Sequence, residues 1–210
     1  MRKSIIKTII YTLASVFAAL LIFFSVMTLL FPGSLADFHY NLGNKKMCVW
    51  YTEKEYNRRK SVSSLDKLVM RSKWLGSNGK VVKYSELLIA DPDFDRLCDR
   101  KDEAIGNEHQ SGTLVDIAYK DYIEGDYVVA LYNTGKVEKA KEYYLKDIAD
   151  GNYPKYNAFQ TLLYEMLDKD DKKNLSDMYD TLNGYVTNLG GEALALAMSD
   201  VEIIATYLNI

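Results

Sequence analysis

Proline, cysteine and histidine are all scarce in this chain. Its 210 residues include three prolines, two cysteines and two histidines. Proline interrupts helices and alternating β-branched residues favour strands, so the shortage of both predicts helical structure throughout. Neither His39 nor His109 stands at ligand spacing from a cysteine. The sequence therefore predicts neither a metal site nor a Cys–His catalytic pair.

Catalytic and phosphate-binding motifs are also missing. The sequence contains no Gly-x-Ser-x-Gly motif and no glycine-rich phosphate loop. The net charge is −3, and the short basic run Arg58-Arg59-Lys60 is more typical of a helix end than of a surface that binds phosphates. We therefore expect no enzymatic activity, no cofactor, no nucleic-acid partner and no evident small-molecule substrate.

The most informative feature that is present is a long apolar run. Residues 8–31 contain no charged side chain, and Arg2, Lys3 and Lys7 precede them. At about 1.5 Å per residue, this run is long enough to cross a hydrocarbon core of roughly 30 Å. Because basic flanks tend to remain in the cytoplasm, we expect a single-pass signal-anchor of a bacterial cell membrane. Residues 1–7 would be a cytoplasmic tail and residues 32–210 an extracytoplasmic domain.

A cleaved secretion signal is the alternative interpretation of the same run. Ser34-Leu35-Ala36 places small residues at the two positions that a signal peptidase inspects, so cleavage after Ala36 would release a secreted protein. The apolar core of a signal peptide is usually 7–15 residues, and this run is much longer. The length favours the uncleaved anchor, although both interpretations export the rest of the chain.

The exported location makes a disulfide between the two cysteines a candidate feature. Cys48 and Cys98 are far apart in the sequence, and a bridge between them would stabilise the fold by restricting the unfolded chain. The alternative is that Cys48 is a small core residue on a helix. The sequence leaves both alternatives open.

Four segments share one layout, in which a helix is followed by a short turn and a second helix with large apolar residues. The turns are predicted at Gly43, Gly79, Gly135 and Asp170, so the first two lie 36 residues apart and the last two 35 apart. Residues 136–150 carry a one-sided apolar stripe made of Val137, Ala140, Tyr143, Tyr144 and Ile148. A hairpin with such a stripe cannot cover its own apolar face, so neighbouring hairpins are expected to stack.

This layout resembles the tetratricopeptide family, whose unit of about 34 residues is an antiparallel helix pair. The third segment matches best, with Gly135 at the turn, Ala140 at the small position and Tyr144 at an aromatic position. The other segments are degenerate at the small position, where they have Cys48, Tyr84 and Leu175. The resemblance covers roughly residues 34–91 and 113–184. It implies an all-α fold, in which a transmembrane helix precedes a tetratricopeptide-like helix-hairpin domain with a concave binding face.

Two further segments interrupt or end this pattern. Residues 91–112 form an acidic insertion whose first aspartates follow the spacing of a calcium loop. Arg96 stands where that loop needs glycine and Asp102 where it needs glutamate, so we predict helix capping and a solvated acidic helix instead. Residues 191–208 are predicted to form a capping helix that seals the array, and docking of this helix on a partner is the alternative.

Aromatic residues supply the candidate binding surface. Tyrosine and tryptophan provide large contact areas at low entropic cost and are enriched at interfaces. Five of them are predicted to face a protein or peptide partner, namely Trp50, Trp74, Tyr84, Tyr132 and Tyr143. The sequence thus predicts a membrane-anchored extracytoplasmic helical-repeat scaffold. The alternatives are an exported hydrolase that uses the acidic insertion, and a structural subunit of a membrane complex with an exposed apolar face on residues 192–208.

Overall fold

The computed structural model describes residues 2–108, 118–149, 153 and 158–210. Regular structure in these ranges is entirely helical and contains no strand, which confirms the predicted all-α class. Residues 109–112 of the predicted acidic insertion, and His109 with them, lie outside the described residues. The α-helices are α1 (Arg2–Leu30), α2 (Pro32–Asn41), α3 (Lys45–Arg59), α4 (Val62–Leu75), α5 (Asn78–Ile89), α6 (Phe94–Glu108), α7 (Tyr119–Asn133), α8 (Val137–Ala149), α9 (Ala158–Asp168), α10 (Lys172–Tyr185) and α11 (Gly191–Leu208).

The chain divides into two compact units. Unit 1 comprises Met1–Leu75 and unit 2 comprises Gly76–Ile210. The predicted extracytoplasmic domain at residues 32–210 is therefore shared between the two units, with α2, α3 and α4 in the first and the remaining helices in the second.

Within the described part of the chain, one stretch is long and apolar enough to cross a membrane, Ile5–Leu30 in α1. None of its most apolar window is buried inside the protein. The helix ends at Leu30, one residue before the predicted end of the apolar run. Phe31 has non-helical backbone angles (φ −133°, ψ 49°), and Pro32 begins α2.

The junction between α1 and α2 leaves backbone carbonyls that need a donor. Because Pro32 has no N–H and α1 stops before it, the last carbonyls of α1 lack their usual helical partners. Arg58, in the last turn of α3, supplies the missing donor. Its Nη1 donates to the Leu29 carbonyl at 3.0 Å and also to the Leu30 carbonyl. A positive charge at a helix C-terminus is also favoured by the helix dipole.

Glu55 covers the other side of the same junction. It lies one turn before Arg58 on α3, and its side chain is buried against Gly33 in the first turn of α2. A Cβ atom at Gly33 would lie 2.7 Å from the Glu55 carboxyl atoms, so the absence of a side chain at Gly33 lets the carboxylate occupy this position. A negative charge is favoured at a helix N-terminus. One face of α3 therefore supplies charges of the appropriate sign to both helix ends.

A small apolar cluster packs beside this junction. Leu35 and Ala36 of α2 and Tyr51 of α3 are buried together, and Met27 of α1 packs against them. The contact between Met27 and this cluster joins the last turns of α1 to the α2–α3 hairpin.

A buried arginine joins α4 to the two helices before it. Arg71 is 8% exposed, and its Nη1 donates to Thr52 Oγ1 at 2.7 Å while its Nη2 is ion-paired with Asp37. Cys48, one turn before Thr52, is completely buried. It is a free thiol, as is the buried Cys98 of α6. The predicted disulfide is therefore absent, and Cys48 instead fits the alternative of a small core residue on a helix.

Unit 2 is organised around α7. This helix packs against α5 on one side and α9 on the other, α8 turns back onto α7, and α11 packs against α10. The core contains large side chains that are less than 2% exposed, including Tyr144, Phe159, Leu162, Leu163 and Met166. The predicted stripe residues Ala140, Tyr144 and Ile148 are buried in this core.

Three of the four predicted turns are helix-connecting turns with the same hydrogen-bond pattern. At Gly43, Gly135 and Asp170, φ is positive (70°, 78° and 54°). The N–H of each of these residues donates to the carbonyl three positions earlier, and the next N–H donates to the carbonyl five positions earlier. This is the Schellman arrangement that ends helices.

The second turn was predicted at the wrong glycine. Gly76 has the left-handed conformation (φ 77°), whereas Gly79 lies inside α5. The sequence offers two glycines, three positions apart, as candidates for this turn. The structure shows that the earlier one, Gly76, follows the end of α4. The positive-φ residues at positions 43 and 76 lie 33 apart, and those at 135 and 170 lie 35 apart.

The described part of the acidic insertion begins with a capped turn. The Asp93 N–H donates to Asp91 Oδ1 at 2.9 Å, and α6 starts at Phe94. Phe94, Leu97 and Cys98 are buried, so α6 has one apolar edge rather than being solvated on all sides.

Close packing of α7 on α9 gives the first testable prediction. A Cβ atom at Gly125 would lie 2.8 Å from Thr161 Oγ1 and 3.2 Å from Thr161 Cβ. Because Thr161 is β-branched and stiff, Gly125→Ala is expected to reduce the free energy of unfolding by about 1–3 kcal/mol. Thermal unfolding of the full chain in detergent, followed by circular dichroism, measures this loss.

Gly184→Ala is the matched control for this prediction. Gly184 also lies in a helix of unit 2, but nothing lies within 4 Å of a Cβ atom built there. It is expected to leave stability unchanged or raise it by up to about 1 kcal/mol. Equal effects of the two substitutions would contradict the close approach of α7 and α9.

Candidate functional site

The five aromatic residues predicted to bind a partner do not belong to one unit. Trp50 and Trp74 lie in unit 1, and the three tyrosines lie in unit 2. Trp50 is 41% exposed and packs edge-on against Tyr51. Trp74 is half-buried, with its ring 5.0 Å from that of Tyr40. Both tryptophans therefore present part of their surface to solvent.

The three tyrosines of unit 2 have different environments. Tyr84 is 5% exposed and is a core residue, so it offers no binding surface, contrary to the prediction. Tyr143 is half-buried and packs edge-on against Tyr127. Tyr132 is also half-buried, and its hydroxyl donates to Asp171 Oδ2 at 2.6 Å. Position along the sequence could not reveal these differences, because burial depends on which helices pack together.

Tyr132 has a structural role at the start of α10. Asp171 is the N-cap residue of that helix and accepts a hydrogen bond from the Asn174 N–H at 3.3 Å. Burial and the hydrogen bond to Asp171 raise the pKa of Tyr132 to about 12. Burial acts to raise the pKa of Asp171, but the hydrogen bonds from Tyr132 and Asn174 outweigh it and hold that pKa below its ordinary value. The Tyr132 hydroxyl is thus used within the fold.

The cysteines have no property of a nucleophilic site. Burial raises the pKa of the Cys48 thiol, and burial also raises that of Cys98 to about 12. Since the thiolate is the reactive form, both side chains are poor nucleophiles. Within the described ranges, no three His, Cys, Asp or Glu side chains are grouped so that they could hold a metal ion.

A concave site in the described residues lies between the end of α9 and one face of α11. Its volume is about 420 Å³, and it is lined by Leu167, Ser199, Glu202, Ile203, Thr206 and Tyr207. Five of these six residues come from α11, at the i, i+3, i+4, i+7 and i+8 positions of one helical face. Sequence reasoning missed this face because it followed only the apolar positions of the C-terminal segment.

Two hydrogen-bond sets fix the walls of this pocket. Tyr207 Oη donates to Asp170 Oδ1 at 2.7 Å, which ties the end of α11 to the turn after α9. On the inner face of α11, Asp200 is 3% exposed and accepts hydrogen bonds from Tyr153 Oη at 2.6 Å and Gln160 Nε2 at 2.8 Å. A buried carboxylate is costly to leave without hydrogen-bond partners. The two hydrogen bonds to Asp200 therefore fix the rotation of α11 about its axis.

The structural-subunit alternative requires an exposed apolar face on residues 192–208. The outer face of α11 is too polar to provide it. Ala197, Asp200 and Ile204 are buried, and Met198 is the one large apolar side chain of this helix that is exposed. The pocket therefore lies in a mainly polar surface, and α11 has no continuous exposed apolar face.

Charge is distributed very unevenly between the two units. The part of unit 1 that follows the apolar run, residues 32–75, contains nine Lys and Arg against four Asp and Glu, a formal charge of +5. Residues 76–210 contain 14 against 25, a formal charge of −11. The net charge of −3 conceals this division, which becomes visible once the boundary at Leu75 is known. A strongly acidic unit attracts cationic partners over distances of about a Debye length.

Comparison of the chain with protein-family models, curated proteins and solved structures finds no match in any of the three. The site must therefore be interpreted from its own geometry and charge.

A carboxylate that joins three helices of unit 2 predicts pH-dependent stability. Glu86 Oε1 of α5 accepts hydrogen bonds from Lys139 Nζ of α8 at 2.5 Å and from Tyr127 Oη of α7 at 3.1 Å. The hydrogen bond from Lys139 holds the pKa of Glu86 below its ordinary value, despite some burial. The stabilisation is therefore complete above the unfolded-state pKa of about 4.3, and it is lost as the pH falls through the lower folded-state pKa.

Glu86→Gln tests this prediction. The variant is expected to melt at a lower temperature than the original protein at pH 6, and the difference is expected to shrink as the pH falls below about 4. Melting temperatures measured across this range provide the comparison. A difference that stays constant from neutral to acidic pH would contradict the assignment.

Proposed function

We propose that this chain is a membrane-anchored, tetratricopeptide-like scaffold that binds a basic segment of a protein partner through unit 2. The observation that carries the proposal is the pocket between α9 and α11, which combines an apolar lining with one exposed carboxylate, Glu202. The pocket belongs to a unit with a formal charge of −11. These features favour recognition of a partner over catalysis.

The spacing of the helix-connecting turns supports a tetratricopeptide-like architecture. The turns at Gly135 and Asp170 each connect two helices that pack together, and they lie 35 residues apart, close to the family unit of about 34. The successive packing of α5, α7 and α9 is the arrangement expected when helix pairs stack side by side. In this register α7 pairs with α8 and α9 pairs with α10, while α11 packs against the last pair.

The lining of the pocket suits one or two side chains of a bound peptide. Leu167, Ile203 and part of the Tyr207 ring can receive an apolar side chain, and burial of that side chain supplies the main free energy of binding. The hydroxyl groups of Ser199 and Thr206 can hydrogen-bond to a peptide backbone. Glu202 can pair with a lysine or arginine, so an apolar residue beside a basic one is the expected motif.

The fold of unit 1 favours an uncleaved anchor over a secretion signal. The bond after Ala36 lies inside α2, and both Leu35 and Ala36 are buried against α3. Cleavage there would remove half of α2 and the whole of α1, including the carbonyl groups that Arg58 contacts. The basic residues Arg2, Lys3 and Lys7 then favour a cytoplasmic N-terminus and an extracytoplasmic location for both units.

A hydrolase that uses the acidic insertion is less well supported. Such an enzyme needs carboxylates of the insertion in a concave site. The pocket is instead built from α9 and α11, and Glu202 is the one carboxylate that lines it.

The proposal is tested by site-specific photo-crosslinking of the full chain in its own membrane. A photoreactive amino acid at Ser199, on the pocket wall, is expected to give a discrete adduct with a partner. The same amino acid at Glu142, exposed on α8, is expected to give none. Adducts of equal yield at both positions would contradict a binding site at the pocket.

Charge reversal on α11 distinguishes the pocket from the general acidity of unit 2. Glu202→Lys is expected to lower the Ser199 adduct at least tenfold, because it replaces the carboxylate that would pair with the partner's basic residue. Glu192→Lys makes the same change in charge about 15 Å away on the same helix and is expected to preserve the adduct. Glu192 lies in the first turn of α11, so its reversal is the more destabilising of the two. Equal loss in both variants would contradict the pocket assignment.

A further inference from the structure

The C-terminal end of α3 lies beside the end of the anchor helix. Arg58 Nη1 donates to the carbonyls of Leu29 and Leu30, which are the last two residues of α1. The contact of Met27 with the α2–α3 cluster adds a second attachment in the same region. The last turn of α3 is therefore at the same level as the end of the apolar run.

This level corresponds to the headgroup region of a bilayer that α1 spans. The hydrocarbon core is about 30 Å thick, and the whole bilayer with its headgroups is about 40–45 Å thick. Each headgroup layer is thus several ångströms deep and begins where the apolar helix ends. Arg59 and Lys60 follow Arg58 within about 3 Å along the axis of α3, so their long side chains begin close to this layer.

Two cationic side chains follow Arg58 directly. The Arg59 side chain is 66% exposed, and the nearest Glu55 oxygen is 3.6 Å from its Nη1. Lys60 is the C-cap residue of α3, with φ of 50°, and Lys60 Nζ lies 4.6 Å from the centroid of the Tyr56 ring. The same Nζ donates to Asn57 Oδ1 at 3.3 Å. Arginine has five N–H donors and lysine has three, so both retain donors for a phosphate.

We propose that Arg59 and Lys60 bind the phosphates of anionic lipid headgroups in the leaflet at which α1 ends. This inference rests on the proposed membrane anchor, and it gives unit 1 a function in orienting the chain on the membrane surface. Charge complementarity supports the choice of occupant, since residues 32–75 carry a formal charge of +5. Tyr56, half-buried beneath Lys60, is an amphipathic ring of the kind enriched at this depth.

The helix dipole favours basic residues at the end of α3, but it does not explain why Arg59 and Lys60 lie beside the end of the apolar run. Basic residues at a helix C-terminus are favoured wherever the helix lies, but here α1 fixes their position relative to the apolar run. Lys45 and Lys46 provide the comparison, because they lie at the start of the same helix. At 1.5 Å per residue they are about 20 Å from Arg59 along α3.

The experiment measures lipid selectivity of the full chain reconstituted in phosphatidylcholine bilayers. Spin-labelled phosphatidylglycerol and spin-labelled phosphatidylcholine are compared by electron paramagnetic resonance for their association with the protein. The expected result is a preference for the phosphatidylglycerol label that decreases as sodium chloride is added. The double variant Arg59→Gln/Lys60→Gln is expected to reduce this preference roughly two- to fivefold.

The matched double variant Lys45→Gln/Lys46→Gln removes the same charge and is expected to retain the preference. Equal loss in both double variants would overturn the proposal, because it would assign the effect to net charge rather than to a site. Loss of selectivity in sodium phosphate but not in sodium chloride of equal ionic strength would also overturn it. That result would assign the site to free phosphate.

Failure of the anchor itself gives a different result. A protein that does not remain with the bilayer after an alkaline carbonate wash contradicts the proposed anchor. A protein that remains in the bilayer without lipid selectivity contradicts only the headgroup site.

Discussion

The carbonyl groups at the C-terminal end of a helix have no N–H partner within that helix, and Pro32 places this deficit where α1 leaves its apolar run. In the proposed membrane-anchored arrangement, water is scarce where α1 ends, so a protein donor is especially valuable there. Arg58 supplies that donor to Leu29 and Leu30, and Glu55 places its carboxylate at the start of α2. The α2–α3 hairpin is thereby fixed to the end of α1. Arg71 then extends the same set of contacts to α4.

Unit 2 depends on a different kind of constraint, which is close packing between helices. Gly125 allows α7 to approach Thr161 of α9, and the buried Asp200 fixes the rotation of α11 through two hydrogen bonds. The pocket is a consequence of that rotation, because five of its six lining residues lie on one face of α11. The proposed recognition site thus depends on a buried carboxylate that lies about a quarter of a turn from the pocket face of the same helix.

The division of charge gives the two units different expected partners. A basic unit that contains an apolar helix is suited to an anionic surface, and a strongly acidic unit is suited to a cationic segment. A partner would be held by weak contacts at the pocket, and anchoring would raise its effective concentration if the partner is also at the membrane. Recognition by this chain would then depend on both the pocket and the anchor.

Local signals in the sequence were sufficient for the helices and for most of the turns. Gly43, Gly135 and Asp170 were found because a left-handed residue after a helix has a strong composition bias. Gly79 was preferred to Gly76 because both satisfy that bias, and only packing selects between them. Tyr84 was misassigned for a related reason, since its burial depends on the neighbours of α5.

Contacts between distant residues could not be predicted from the sequence. The bond from Arg58 to the Leu29 carbonyl joins positions 29 residues apart, and no local pattern marks either partner. The basic run that contains Arg58 was correctly interpreted as a helix end. Its position beside α1 became evident only in the structure, and so did the pocket on α11.

The central claim is that α1 and α2 remain parts of the mature protein. Peptide mapping by mass spectrometry of the chain purified from the membranes of its own host tests this claim most directly. The account predicts abundant peptides that span the bond between Ala36 and Asp37, together with α3 in the same membrane-bound chain. A mature N-terminus at Asp37, with no peptide across that bond, would contradict it.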